Sequence, residues 1–326
     1  MLRHSILART AIVAAALALS ASSFAQGYPN KPIKLVVPFA QTGLPDVLAR
    51  MLAQGLSQEI GQPVVVDNRP GGNSIIGSQL VAKSAPDGYT LLLSSTNSYA
   101  IAPAVIANLP FDPVGDFAAV TQAVRGPLFL VVNSTLGVGS VQELMALART
   151  KPGVINYGSP GNASLHQLCM ESLKLMAKVD LTHIPYKGAI QAIPALLTNE
   201  ISAMFIAQDA IAAHLKTGKL RAIAVSTGRR STLARDVPTI AESGLPGFDL
   251  ASIIGVSAPA GTPRPIIDRL YASVSKALKN PEMESRLGQN LGMEVVASTP
   301  EQYTERMLTD RAYFARLVKE INLKID

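Results

Sequence analysis

Short aliphatic runs alternate along this chain with stretches whose apolar positions recur every three to four residues, the pattern of an α/β fold. Leu35, Val36 and Val37 form a β-branched run of the kind buried on both faces of a parallel sheet, and Pro38 ends it. Gly43 permits a tight turn, Pro45 suits a first helical position, and Asp46 complements the positive end of the helix that follows. Leu48, Met51, Leu52, Leu56 and Ile60 then fall at helical spacing, closed by Gly61. Val64, Val65 and Val66 predict a second strand, 75–85 a second helix, and Leu91, Leu92 and Leu93 a third strand. The βαβαβ order predicts a parallel sheet with right-handed crossovers. Its strand ends carry three small polar loops, 38–46, 70–78 and 94–98.

The plan repeats further on without sequence repetition. Strands are expected at 128–133, 155–157, 182–185, 203–206 and 220–225, and helices at 141–150 with Ser140 as N-cap, 164–178, 191–197 and 210–217. Residues 252–257 read as a returning strand. Helices at 265–278, 282–290 and 300–321 form a tail expected to pack back on the first unit. The chain therefore divides into a segment 26–127 plus 251–326 and a segment 128–250, with two crossings near 126–130 and 248–256 that would act as a hinge.

The start of the chain is set apart from this plan. Arg3, His4 and Arg9 precede the apolar run 11–19, and Ser23-Phe24-Ala25 resembles a small-residue cleavage site, so residues 1–25 read as a secretory signal. The run is shorter than the ~20 residues a bilayer span needs. Export changes the meaning of the charge. The pI is 9.4, but an exported chain without Trp and with 5% aromatic residues is poorly equipped to stack bases, and nucleic acid is not an expected partner. Removing Arg3 and Arg9 would lower the formal charge from +6 to +4, a modest field that suits small anions or reflects scattered surface lysines. Cys169 is the single cysteine and can form no internal disulfide.

Catalytic chemistry is hard to find. There is no G-x-S-x-G, G-x-G-x-x-G, G-x-x-x-x-G-K-[ST] or H-E-x-x-H motif, no metal-ligand spacing and no cofactor signature. Ser164 and His166 lie two apart on a helix start and point away from each other. His183 reads as a structural histidine and His214 as a solvated one. What recurs is hydroxyl, amide and glycine at strand ends: Ser95, Thr96 and Asn97 in the first unit, Ser159, Asn162 and Ser164 in the second. Such groups can donate to a carboxylate, although each is also an ordinary cap or turn former, and the 38–46 loop is equally readable as a βα turn without a ligand.

The motifs V-P-F-x-x-x-G-x-x-D, D-N-R-P-G-G, A-P-D-G-Y-T-L-L, K-P-G-x-x-N-Y-G-S-P-G-N, I-P-Y-K-G, L-K-T-G-K-L-R-A-I-A-V, D-V-P-T-I-A-E-S-G-L-P-G and A-P-A-G-T-P occur in this order. The chain thereby resembles the Bug family, the TctC-type substrate-binding receptors of tripartite tricarboxylate transporters, over essentially all of residues 26–326. The resemblance implies a two-domain periplasmic-binding-protein fold, the "Venus flytrap", with each domain a mainly parallel sheet flanked by helices. It implies a monomeric periplasmic receptor without catalysis or cofactor, holding a small carboxylate and delivering it to a large and a small membrane subunit. Carried onto this chain, the family's carboxylate loops are Phe39, Ala40, Gln41, Thr42 and Gly43, facing 159–164 with Ser159, Asn162, Ala163 and Ser164. Gly188 of I-P-Y-K-G, Gln208 and Asp209 complete the expected site. Thr42 stands where the family has a glycine, and Ile206 follows Phe205 where it often has an aspartate, so the expected ligand is a bulkier or less polar carboxylate, aromatic or aliphatic. The alternatives are an exported hydrolase using Ser164 or Ser95, and a ligand sensor for a two-component system.

Overall fold

The computed structural model describes residues 27–41, 43–71, 74–232 and 234–323. The secretory segment expected over 1–25, Thr42 and part of the 70–78 loop lie outside the described residues, as does the side chain of Asp209. Among the described residues the chain forms two sheets, of six and five strands. No helix among them is long and apolar enough to cross a membrane.

In the first sheet β1 (Ile33–Val37) lies parallel to β2 (Val64–Asn68) on one side and to β3 (Thr90–Ser95) on the other. Helix α1 (Leu44–Ile60) joins β1 to β2, and α2 (Ile75–Ala82) joins β2 to β3. Leu48, Leu52 and Leu56 give α1 a fully buried stripe that shares one core with Leu35 and Leu91 of the sheet. Gly61, at φ 71°, closes α1 in the left-handed region, where its N–H reaches the Ser57 carbonyl. The next stretch holds a π-helical turn at Asn97–Ile101, the short helix α3 (Ala102–Val105) and the long strand β4 (Phe117–Pro127).

After Leu128 alone the chain enters β5 (Phe129–Asn133) of the second sheet. There α4 (Val141–Thr150), β6 (Asn156–Ser159), α5 (Leu165–Ala177), β7 (Thr182–Pro185), α6 (Ala189–Leu197), β8 (Ala203–Ile206), α7 (Gln208–Lys216) and β9 (Leu220–Val225) follow. The chain returns through β10 (Ala251–Pro259), and α8 (Arg264–Leu278), α9 (Pro281–Leu291), β11 (Glu294–Val295) and α10 (Pro300–Glu320) complete it.

The sheets are mixed, where the sequence led to an expectation of mainly parallel ones. The first, in the order β11-β4-β10-β3-β1-β2, is antiparallel at β10/β3, β10/β4 and β11/β4. The second, β7-β6-β8-β5-β9, is antiparallel on both sides of β5. The reason is the double crossing. β4 carries the chain out of the first sheet and β10 carries it back as β4's neighbour, so the two must run in opposite directions; β5 and β9 stand in the same relation in the second. Ser226, fully buried, ties the crossings together: its Oγ accepts from Leu128 N–H and donates to the Leu250 carbonyl.

Helix α10 spans both units. Tyr303 lies under the first sheet with its hydroxyl 2.9 Å from Ser94 Oγ, while Phe314, Leu317 and Val318 share an apolar cluster with Leu168 and Leu173 of α5. Between these ends the buried Asp310 accepts from Tyr99 Oη at 2.9 Å and forms an ion pair with Arg306, Nε to Oδ1 2.9 Å. The tail thus packs against the first sheet and also reaches the cluster around α5.

Gly255 of β10 passes so close to Tyr303 that a Cβ would sit 2.4 Å from the ring and 2.6 Å from the Thr121 carbonyl. Gly255→Ala is therefore expected to destabilise the fold by about 1–3 kcal/mol through overpacking. Thermal denaturation followed by circular dichroism checks this as a midpoint lowered by several degrees; an unchanged midpoint would contradict the packing described.

Candidate functional site

A cavity of about 700 Å³ opens between the two sheets. The first unit contributes Phe39, Leu44 and Pro45 from the β1–α1 connection and Ser95, Thr96 and Asn97 from the end of β3. The second contributes Pro160, Ser164, Leu165 and His166 before and within α5, residues 187–191 around the start of α6, and Ile206, Ala207 and Ala210 around the start of α7. Residues 126–128 and 252–254 of the crossings form the floor, and 291–293 at the end of α9 close one side.

Four α-helices begin at this cavity: α1, α5, α6 and α7. The first N–H groups of any helix lack intrahelical acceptors, and the summed peptide dipoles place roughly half a positive charge at each start. Of the four, α5 has a side-chain cap, Ser164 Oγ accepting from Gln167 N–H. The N-cap residues of the others are Gly43, Gly188 and Ala207, which carry no group able to fold back on the helix. α1 offers Leu44 N–H alone, since Pro45 has no N–H and Asp46 N–H donates to the Gly43 carbonyl at 3.0 Å. The leading amides of α6 and α7 meet no side-chain cap and suit a ligand. Lys187 is the one formally cationic side chain among the described lining residues, and no carboxylate is among them. Phe39, Leu44, Pro127, Leu128, Leu165, Ile190, Ile206, Ile253 and Met293 make most of the remaining wall apolar.

Of the expected site residues, Phe39, Ser95, Thr96, Asn97, Ser164 and Gly188 line the cavity. Ser95 and Thr96 do so with their hydroxyls already engaged. Ser95 Oγ accepts from Ser98 N–H at 3.4 Å, and Thr96 Oγ1 accepts from Ile253 N–H at 3.1 Å, which pins the returning strand β10. Asn97, half-buried, has no hydrogen-bond partner for its carboxamide among the described residues. Ala40 and Gly43 are exposed and flank lining residues without joining the wall, and Asn162 is exposed outside it. Ala163 is buried at φ 54° with its N–H on Gln167 Oε1 at 2.6 Å, and Gln208 leads α7 between the lining residues Ala207 and Ala210. Thr42 and the side chain of Asp209 lie outside the described residues.

Ser159 is wholly buried and lies behind the wall. Its Oγ is 2.7 Å from His183 Nε2 and 3.0 Å from the Gly161 carbonyl. The spacing is that of a nucleophile and its base, but the proton sits on the wrong nitrogen for that role. Gln167 turns its Oε1 to Ala163 N–H, which leaves Nε2 as donor to His183 Nδ1 at 3.2 Å. The neutral ring then carries its proton on Nε2 and donates it to Ser159. Burial holds the His183 pKa below its ordinary value, so the ring stays neutral. The pair fixes the 158–164 loop and cannot activate the serine.

The sequence did not mark out Lys187, Ile190, Gln191 or Met293 as lining residues. The first three adjoin Gly188 at the start of α6, and the I-P-Y-K-G motif was their only signal. Met293 is brought in by tertiary packing from the far end of the chain.

Comparison with known proteins follows the same lines. A model for "Tripartite tricarboxylate transporter family receptor" matches residues 48–323. Protein BugT of Bordetella pertussis is 34% identical over 321 residues, covering 98% of both chains. An R. palustris protein solved with adipate is 32% identical with a TM-score of 0.77, covering 91% of this chain and 99% of its own. The periplasmic binding protein BugD is 30% identical with a TM-score of 0.74, covering 91% and 99%.

Because Thr96 is the acceptor for a buried amide, Thr96→Val is expected to lower unfolding free energy by about 1–3 kcal/mol in the unliganded protein. Asn97→Ala, which breaks no internal bond, should leave it within about 0.5 kcal/mol. Urea unfolding of both variants checks the contrast, and equal losses would refute this division between scaffold and wall.

Proposed function

From its place in the tripartite tricarboxylate transporter receptor family, to which the chain belongs, we propose that it captures a carboxylate-bearing solute in the periplasm. It then delivers that solute unchanged to the large and small subunits of a membrane transporter. Members of this family are receptors, and the wiring of Ser159 and His183 gives no support to hydrolysis.

The observation that carries this reading is the convergence of uncapped helix starts on an apolar cleft. Each hydrogen bond to a charged group contributes roughly 1.5–3 kcal/mol, so four would account for the ~8 kcal/mol of micromolar binding once ordering costs are offset. Amides and the Asn97 carboxamide hold the carboxylate. The apolar walls take the body of the ligand, which favours an aliphatic or aromatic acid over a small polyhydroxylated one. Adipate bound to a 32% identical protein is consistent with that chemistry.

The lobes divide at the crossings, 26–127 with 251–326 on one side and 128–250 on the other, and close as a monomer around the ligand. Ile190, 76% exposed on the cavity rim, becomes covered on closure, and burying a side chain of that size contributes about 1.5–3 kcal/mol.

A thermal-shift panel of benzoate, adipate and citrate tests the function. At least one should raise the midpoint and be recovered intact by NMR; no shift from any of them, or conversion of the compound, would overturn it. With the compound that shifts the midpoint most, Asn97→Ala should weaken binding by roughly tenfold or more in calorimetry.

A further inference from the structure

His166 is the one imidazole among the described residues of the cleft wall. It is the second residue of α5, its half-buried imidazole lines the cavity, and neither ring nitrogen has a partner among the described residues. The neighbouring polar side chains are already engaged: Ser164 caps α5, and Gln167 holds Ala163 and His183.

The charged groups around it leave the ring without a counter-ion. On α5 itself, Glu171 pairs with Lys174 at 3.0 Å and with the Tyr157 hydroxyl, and the buried Cys169 thiol is kept neutral by burial. His183 is held by Ser159 and Gln167. Across the cleft Asp46 is bound by Arg50 and Asn68, and beside the floor Arg125 is paired with Glu294 at 3.1 Å. Lys187, before α6, is the other titratable side chain of the described lining and is itself a cation. With no anion nearby, burial lowers the His166 pKa to about 4. The empty cleft therefore presents a neutral imidazole with a free N–H.

We propose that His166 contacts the ligand carboxylate directly and gains a proton when that anion arrives, so that capture is coupled to proton uptake. The inference rests on the carboxylate reading of the cleft and goes beyond it. A carboxylate placed against the ring favours imidazolium and raises its pKa in the complex. The sign follows. Affinity is highest below the pKa of the free protein and falls, by at most about tenfold per unit, as pH rises from there through the pKa of the complex. It then levels off where the ring is neutral in both states.

Calorimetry with the tightest binder among benzoate, adipate and citrate, at pH 5.5 and 7.5 in buffers of different ionisation enthalpy, tests the coupling. Wild type should bind several-fold more tightly at pH 5.5 and take up a fraction of a proton. His166→Gln, which keeps a donor but cannot charge, should lose both effects, whereas Lys187→Ala should keep the proton uptake. NMR of the wild-type histidines, which in the mature chain are His166, His183 and His214, gives a reading independent of any variant: one imidazole should move its pKa upward on binding. Binding with equal affinity at both pH values, no buffer-dependent heat and no moving histidine would overturn the inference while leaving the carboxylate receptor standing. Failure of all three compounds to bind would overturn both.

Discussion

The starts of four helices meet at one cavity, three of them without a side-chain cap, and the rest of the molecule is arranged to keep them there. An N-cap of glycine or alanine in place of Ser, Asp or Asn costs a helix up to about 1 kcal/mol. The chain accepts that cost at α1, α6 and α7, where Gly43, Gly188 and Ala207 lead into the cleft. Elsewhere it caps: Ser140 on α4, Asn280 on α9, and Thr299 on α10 with a reciprocal bond from Gln302. The contrast is not complete, since α2, α3 and α8 also start without a side-chain cap outside the cavity lining. Still, the helices that start at the cleft, apart from α5, forgo the group that would silence their amides. A low-dielectric wall of Phe39, Ile206 and Met293 strengthens whatever those amides hold.

Keeping the helix starts aimed at one point requires a firm junction between the sheets. The crossings supply it through a few buried polar contacts. Ser226 joins Leu128 to Leu250, Thr96 takes the amide of Ile253, and α10 lies across both units with Tyr303 at one end and Phe314 at the other. Asp310, between Tyr99 and Arg306, links that helix to the turn carrying Thr96 and Asn97. The cavity floor and the proposed hinge are thus the same set of residues.

Much of this could be read from the chain, for a physical reason. Aliphatic runs such as 35–37 and 91–93 have one stable environment, and the glycine, proline and small polar residues after them leave few alternatives to a tight turn, so the βαβαβ half and its strand-end loops were legible. β4 was not. Its Phe-Ala-Ala-Val-Thr-Gln-Ala-Val-Arg stretch mixes polar with apolar residues, and Thr121 and Gln122 are tolerated inside because Ser298 completes their hydrogen bonds from 176 or 177 positions away. Ser159 illustrates a second limit. Its type and position fit a ligand contact, but only the orientation of Gln167 reveals that its hydroxyl serves His183 behind the wall. His166, two residues from Ser164, is a third case: nothing local in the sequence shows an unpartnered ring on a cavity.

In the proposed binding mode the cleft grips negative charge through main-chain dipoles. Comparing, by calorimetry, the tightest-binding carboxylate with its uncharged primary amide tests it most directly, since the two share shape and apolar body. The account predicts that the amide binds on the order of tenfold or more weakly, because hydrogen bonds to a charged acceptor are about twice as strong as neutral ones. An amide that binds as tightly as its acid would show that the helix starts do not select the ligand, and the account would fail.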